Sequence, residues 1–162
     1  MSAGVSLAAI DTGVLIEYID ELGDFHIQAT AVLESVTAGR LTAIIPHLVF
    51  AELYYVSCRI YEKFGGRDDA SPESRASNLI GSLYRSPNIS VPENSLEFAL
   101  EAGRIKQKFN LALPDSYVIA SAKLNRCDAV FKSLEDEMAR GGRLARLKKE
   151  TKVGLVFLED FA

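Results

Sequence analysis

Val5-Ser6-Leu7-Ala8-Ala9-Ile10-Asp11-Thr12 is the stretch whose reading decides the fold. An apolar run of strand length ends in an aspartate, and Gly13-Val14-Leu15-Ile16 resumes the hydrophobic pattern at once. A short, nearly continuous apolar run suits a strand buried on both faces. In open α/β folds, ligands and reactive groups gather at the carboxyl ends of such strands. A carboxylate placed there needs a donor or a cation, because an isolated buried charge is costly. Asp11 equally suits the cap of a following helix. The choice turns on whether carboxylates further along the chain can meet it.

Outward from Asp11 the pattern alternates. A helix is expected over 13–20, with a break at Gly23-Asp24 and a second helix over 26–37 that Gly39 stops. A strand over 41–45 leads to Pro46, which opens a helix reaching about residue 63. On that helix Val49, Leu53, Val56 and Ile60 form the expected inward stripe, and Glu52 borders it. Residues 65–74 have loop composition and read as a flexible insertion. Then come a helix over 73–85, a short strand over 89–91 and a helix over 95–109. In the last of these Leu96, Ala99, Leu100, Ala102, Gly103 and Ile105 are expected to face inward. A helix starting Leu113-Pro114-Asp115, a strand over 128–131, helix over 134–147 broken at Gly141-Gly142, and a strand over 153–158 complete the chain. This alternation predicts an α/β fold: three layers, α/β/α, around a mostly parallel sheet of about five strands.

The 162 residues fit one domain, 1–162, with a sizeable core. Apolar residues make up 48% and charged residues 25%, as in ordinary globular proteins. A net charge of −4 gives no overall basic footprint for nucleic acid. The charge is nonetheless uneven. Residues 1–52 hold seven acids and only Arg40 as a base, whereas residues 139–152 hold six Lys/Arg against Glu150. That asymmetry allows a basic rim beside an acidic pocket. Cys58 and Cys127 are isolated and lack metal-type spacing, as are His26 and His47. No run approaches a membrane span and no signal-type leader is read, so the expectation is a cytoplasmic protein without a membrane partner.

Three acids stand out by context: Asp11 at a strand end, Glu52 beside a buried helix face, and Asp115 in a first helical turn. A fourth group, Ser133-Leu134-Glu135-Asp136-Glu137, follows the fourth strand. Parallel strands would bring Asp11 and this group to the same edge of the sheet. Carboxylates converging there repel one another unless a cation intervenes, and an all-oxygen set suits Mg²⁺ or Mn²⁺. Each acid also has an ordinary role. Asp115 suits the helix dipole, Glu52 an ion pair, and Glu135, Asp136 and Glu137 a solvated first turn.

Taken together, Ala9-Ile10-Asp11-Thr12-Gly13-Val14-Leu15-Ile16, Val49-Phe50-Ala51-Glu52-Leu53 and Leu113-Pro114-Asp115-Ser116-Tyr117-Val118-Ile119-Ala120-Ser121-Ala122 resemble the PIN-domain family, and within it the VapC-like toxins. The pieces stand in the family's order and span nearly the whole chain. The family's fourth motif, Val-Thr-x-Asp-x-x-Phe, is altered here to Val130-Phe131-Lys132-Ser133-Leu134-Glu135-Asp136-Glu137-Met138. Matching Met138 to the Phe puts Glu135 on the acidic position, with Asp136 as runner-up; an ungapped count from Asp115 points near Ser133. The resemblance implies an endoribonuclease dependent on Mg²⁺ or Mn²⁺, with Asp11, Glu52, Asp115 and Glu135 as catalytic and metal-binding acids. Thr12 and Ser116 would support those acids. It further implies an RNA substrate, a toxin–antitoxin role with a small antitoxin protein, and a homodimer. The alternative is a PIN-fold RNA- or protein-binding module impaired in cleavage. The basic run Arg140, Arg143, Arg146, Lys148, Lys149 and Lys152 is a candidate substrate rim, and Tyr54, Tyr55 and Tyr61 could stack bases or pack.

Overall fold

The structure, a computed structural model, describes residues 5–65 and 70–161. The centre of the loop expected over 65–74, residues 66–69, lies outside the described residues.

Five strands form one sheet: β1 (Ser6–Ile10), β2 (Leu41–Ile44), β3 (Ile89–Ser90), β4 (Asp128–Phe131) and β5 (Leu155–Phe157). Their order is β3-β2-β1-β4-β5, and every pairing is parallel. The central strand β1 pairs with β2 through Ala8↔Ala43 and with β4 through Ala9↔Ala129. Chain order reverses between those two neighbours, so the carboxyl end of β1 is the topological switch point of the sheet. Ala8, Ala9 and Ile10 are buried, as a strand covered on both faces requires.

Helices α1 (Thr12–Ile19), α2 (His26–Thr37), α3 (His47–Phe64), α4 (Pro72–Tyr84), α5 (Leu96–Phe109) and α6 (Leu113–Asn125) flank the sheet, giving the three layers expected. The segment after β4 is two helices, α7 (Asp136–Ala139) and α8 (Arg143–Thr151), joined through a short 3₁₀ turn. The break falls at Gly141 and Gly142, whose φ values of 60° and 68° suit glycine. No helix among the described residues is long and apolar enough to cross a membrane.

Two inward faces differ from expectation. On α3 the buried residues are Val49, Phe50, Leu53 and Ser57, while Val56 and Ile60 are only half-buried. The core-facing stripe therefore follows i, i+4, i+8 and runs through a serine. On α5 the buried residues are Phe98, Ala102, Ile105 and Phe109. Leu96 and Leu100, expected inside, are 76% and 47% exposed. The chain offers α5 two overlapping apolar stripes, and the one carrying both phenylalanines, which bury more apolar area, wins the core.

Candidate active site

Asp11 sits at the switch point, in extended conformation, directly before α1. Its backbone N–H continues the ladder to the Val130 carbonyl (3.0 Å), and its Oδ2 accepts the Gly13 N–H (2.9 Å). Asp11 thus caps α1 directly after the carboxyl end of β1. Gly13 has a reason to be glycine, since a Cβ there would lie 3.1 Å from Asp11 Oδ2 and 3.1 Å from Lys132 Cβ.

Glu52 reaches this edge from α3. The buried hydroxyl of Thr12 donates to Glu52 Oε2 at 2.6 Å, which ties the second acid to the residue after the first. The ion pair that Glu52 might otherwise make is absent among the described residues. Asp115 lies in the first turn of α6 and is 9% exposed. Ser116 does not support the acids: its hydroxyl donates back to the Ala112 carbonyl (2.9 Å). Glu135 is exposed and forms the residue before α7.

The electrostatics show that these carboxylates share one field. Burial is the largest cause raising the Asp11 pKa from 3.8 to about 6; the Gly13 and Thr12 amides pull it back, and the charges of Glu52 and Glu135 push it up. For Asp115, burial again leads, followed by the charges of Asp11, Glu135, Glu137 and Glu52, and the pKa rises from 3.8 to about 8. Asp136, the runner-up for the fourth position, is not among the leading causes of either shift. It is exposed and lies 3.6 Å from Arg140 on the solvent side. Sequence reasoning took Glu137 for a solvated first-turn acid. Its field on Asp115 and its Oε2, which accepts the Ala112 N–H at 2.9 Å, bring it to the site.

A second group escaped sequence reading. Glu17, on α1, is 3% exposed yet charged-residue in type. Its Oε1 meets Lys132 Nζ at 2.5 Å and its Oε2 accepts the Phe25 N–H at 2.8 Å. His26 Nδ1 bonds the Glu17 carbonyl (2.9 Å), which gives this histidine a structural role. The pair links α1, which Asp11 caps, to the residue that follows β4.

The basic run does not form one strip. Arg140 faces Asp136, Arg146 lies 3.7 Å from Glu150, and Arg143 donates to the Glu137 carbonyl. Among the described residues Lys148, Lys149 and Lys152 pair with no carboxylate; the first two stand in the last turn of α8, where cations suit the helix dipole. Tyr54 and Tyr55 are exposed, and Tyr61 stacks under the Arg75 guanidinium at 4.1 Å. Cys58 and Cys127 are unbonded thiols.

An ion held here would be bound by oxygen alone. Among the described residues no three His, Cys, Asp or Glu side chains converge tightly enough to enclose one unaided. Mg²⁺ commonly takes one or two direct carboxylates and fills its octahedron with water and substrate oxygens. An exclusively carboxylate set, with two members pushed toward protonation by burial and by neighbouring carboxylates, fits that mode of binding.

A family model described as PIN domain matches residues 8–143. No curated protein matches the chain. Among solved structures, a toxin–antitoxin complex from Klebsiella pneumoniae is similar at 21% identity and TM-score 0.54, covering 83% of this chain and 93% of that one. VapBC2 from Rickettsia felis, bound to a promoter DNA fragment, matches at 12% identity and TM-score 0.58, covering 92% and 96%. VapC20 from Mycobacterium tuberculosis, described as a toxin cleaving the sarcin-ricin loop, matches at 14% identity and TM-score 0.58, covering 83% and 95%. At these identities the likeness speaks for the fold.

Proposed function

Because the chain belongs to the PIN-domain family, we propose that it is a metal-dependent endoribonuclease and the toxin of a type II toxin–antitoxin pair. The observation that carries the proposal is that Glu52 is bonded by the residue after Asp11, and that the charges of Glu52 and Glu135 raise the pKa of both Asp11 and Asp115. Its context is supported by the structural neighbours, among them a toxin–antitoxin complex and a toxin.

In this reading Asp11 and Asp115 would hold Mg²⁺ or Mn²⁺, with Glu52 and Glu135 completing the acidic shell. Such an ion supplies an activated water and stabilises charge on the scissile phosphate. The chain's own residues do the positioning. The Gly13 amide fixes one Asp11 oxygen. The Thr12 hydroxyl orients Glu52. The first turn of α6 holds Asp115 almost out of solvent. Glu135, which is exposed, would orient the attacking water.

A small antitoxin and a homodimer belong to the same proposal. A cleft of about 620 Å³ lies between the start of α3, the start of α5 and the start of α6, lined by His47, Leu48, Ala51, Leu96, Leu113 and Tyr117 among others. Leu96 and Leu113 stand exposed on it, which supports association with protein. The test is cleavage of single-stranded RNA during Mn²⁺ titration by wild type, Asp11→Asn and Asp115→Asn. Cleavage by the wild type alone is expected. Equal residual cleavage in all three, or no Mn²⁺ binding by the wild type, would leave the chain a binding module. A short open reading frame abutting this one is the expected genomic companion.

A further inference from the structure

We propose that Glu137 is a positioning residue: it bonds the start of the Asp115 helix to the Glu135 segment and so sets the separation of those two acids. This rests on the reading of Asp115 and Glu135 as working acids. Helix α6 begins at Ala112, which has no side chain able to cap it. The Ala112 carbonyl accepts the Ser116 N–H at 3.1 Å and the Ser116 hydroxyl at 2.9 Å. The Ala112 N–H on the other side of the same residue goes to Glu137 Oε2 at 2.9 Å, across 25 residues of chain. A carboxylate at a helix start also suits the dipole. Glu137 thus replaces the local cap that the sequence lacks, three residues before Asp115.

Glu137 is itself held. The next residue, Met138, is 1% exposed and anchors α7 in the core, and the Met138 N–H bonds the Glu135 carbonyl at 3.0 Å. Arg143 donates to the Glu137 carbonyl. At the other end of the segment, Leu134 N–H donates to Glu159 Oε1 (2.6 Å) and Glu159 N–H to the Lys132 carbonyl (3.2 Å). Glu135 therefore sits between two tethers, and the one through Glu137 is the tether that reaches α6.

Two variants separate positioning from direct action on an ion. Glu137→Gln keeps an oxygen for the Ala112 N–H and loses the charge; Glu137→Ala loses both. The expected result is a fall of about 10–100-fold in kcat for the Ala variant, with RNA affinity unchanged, and near wild-type kcat for the Gln variant. Amide hydrogen exchange at Ala112 and Ser116 is expected to quicken in the Ala variant only, with both variants folded by thermal melting. Equal loss in both variants with those amides still protected would assign Glu137 a charge role and overturn the proposal. Unchanged Ser116 protection in the Ala variant would overturn it as well. If the wild type cleaves no RNA, the ribonuclease reading fails, and the exchange experiment still decides whether Glu137 fixes α6.

Discussion

Neutralising Asp115 is expected to stabilise the metal-free fold at alkaline pH. Asp115 is 9% exposed, and its pKa rises from 3.8 to about 8 through burial first and neighbouring carboxylates second. A raised carboxyl pKa means that the folded chain holds its proton more tightly than the unfolded chain does. The stability this contributes is full below about pH 4 and is lost as pH rises through about 8. At about 1.4 kcal/mol per pH unit, the displacement sets a ceiling of ~6 kcal/mol. Water entry and side-chain movement reduce the cost of a buried charge to several kcal/mol in real proteins, so roughly 2–3 kcal/mol is expected here. For a chain of this size, each kcal/mol moves Tm by about 2–4 °C, or roughly 4–12 °C in all. The assay is thermal unfolding of wild type and Asp115→Asn with chelator, at pH 5 and pH 8. Wild type should lose Tm between the two pH values by several degrees more than the variant. The variant should melt above wild type at pH 8, and Mn²⁺ should recover wild type but not the variant. Parallel Tm-against-pH curves for the two proteins would refute the reasoning.

Other perturbations follow from single contacts. Thr12→Val removes the 2.6 Å donor from Glu52, and a loss of about 10-fold in RNA cleavage with little change in Tm is expected by steady-state kinetics and melting. Lys132→Met keeps the apolar stem but strands the buried Glu17 charge, so urea denaturation should report a loss of about 3 kcal/mol. Gly23→Ala drives a Cβ against Glu17 Oε2 and to 3.0 Å from the Asp20 carbonyl, and denaturation should show a cost of roughly 1–3 kcal/mol.

Much of the candidate site was legible because each acid stands where a strand or helix changes character. Asp11 interrupts a buried run, Glu52 borders an apolar stripe, and Asp115 opens a helix behind a proline. Such boundaries are local, and parallel topology brings strand ends to one edge. Glu137 was hidden for the opposite reason. Its partner is a main-chain N–H 25 residues away, and no local pattern encodes that distance. Glu17 was hidden because a glutamate within an apolar helix reads as a surface interruption, whereas its partner comes from the residue after β4. The basic run misled in another way. Neighbours in sequence lie about 100° apart around a helix, so Arg146 and Lys148 serve different faces of α8. On α5 the stripe through Leu96 and Leu100 was expected inside, and packing against α6 turns the face of Phe98, Ala102, Ile105 and Phe109 inward instead.

The central pairing has a consequence for the life of the chain on the ribosome. Strand β1 finds its second neighbour only when β4 arrives, with Ala8 set against Asp128 about 120 residues later. Synthesis runs from the N-terminus at about 5–20 residues per second. Asp11 is therefore made before Asp115 and Glu135 and waits for both. A nascent chain carries the first acids of the proposed site without the last. On the proposed reading, activity toward RNA begins only once β4 has paired with β1 and the segment after it has folded.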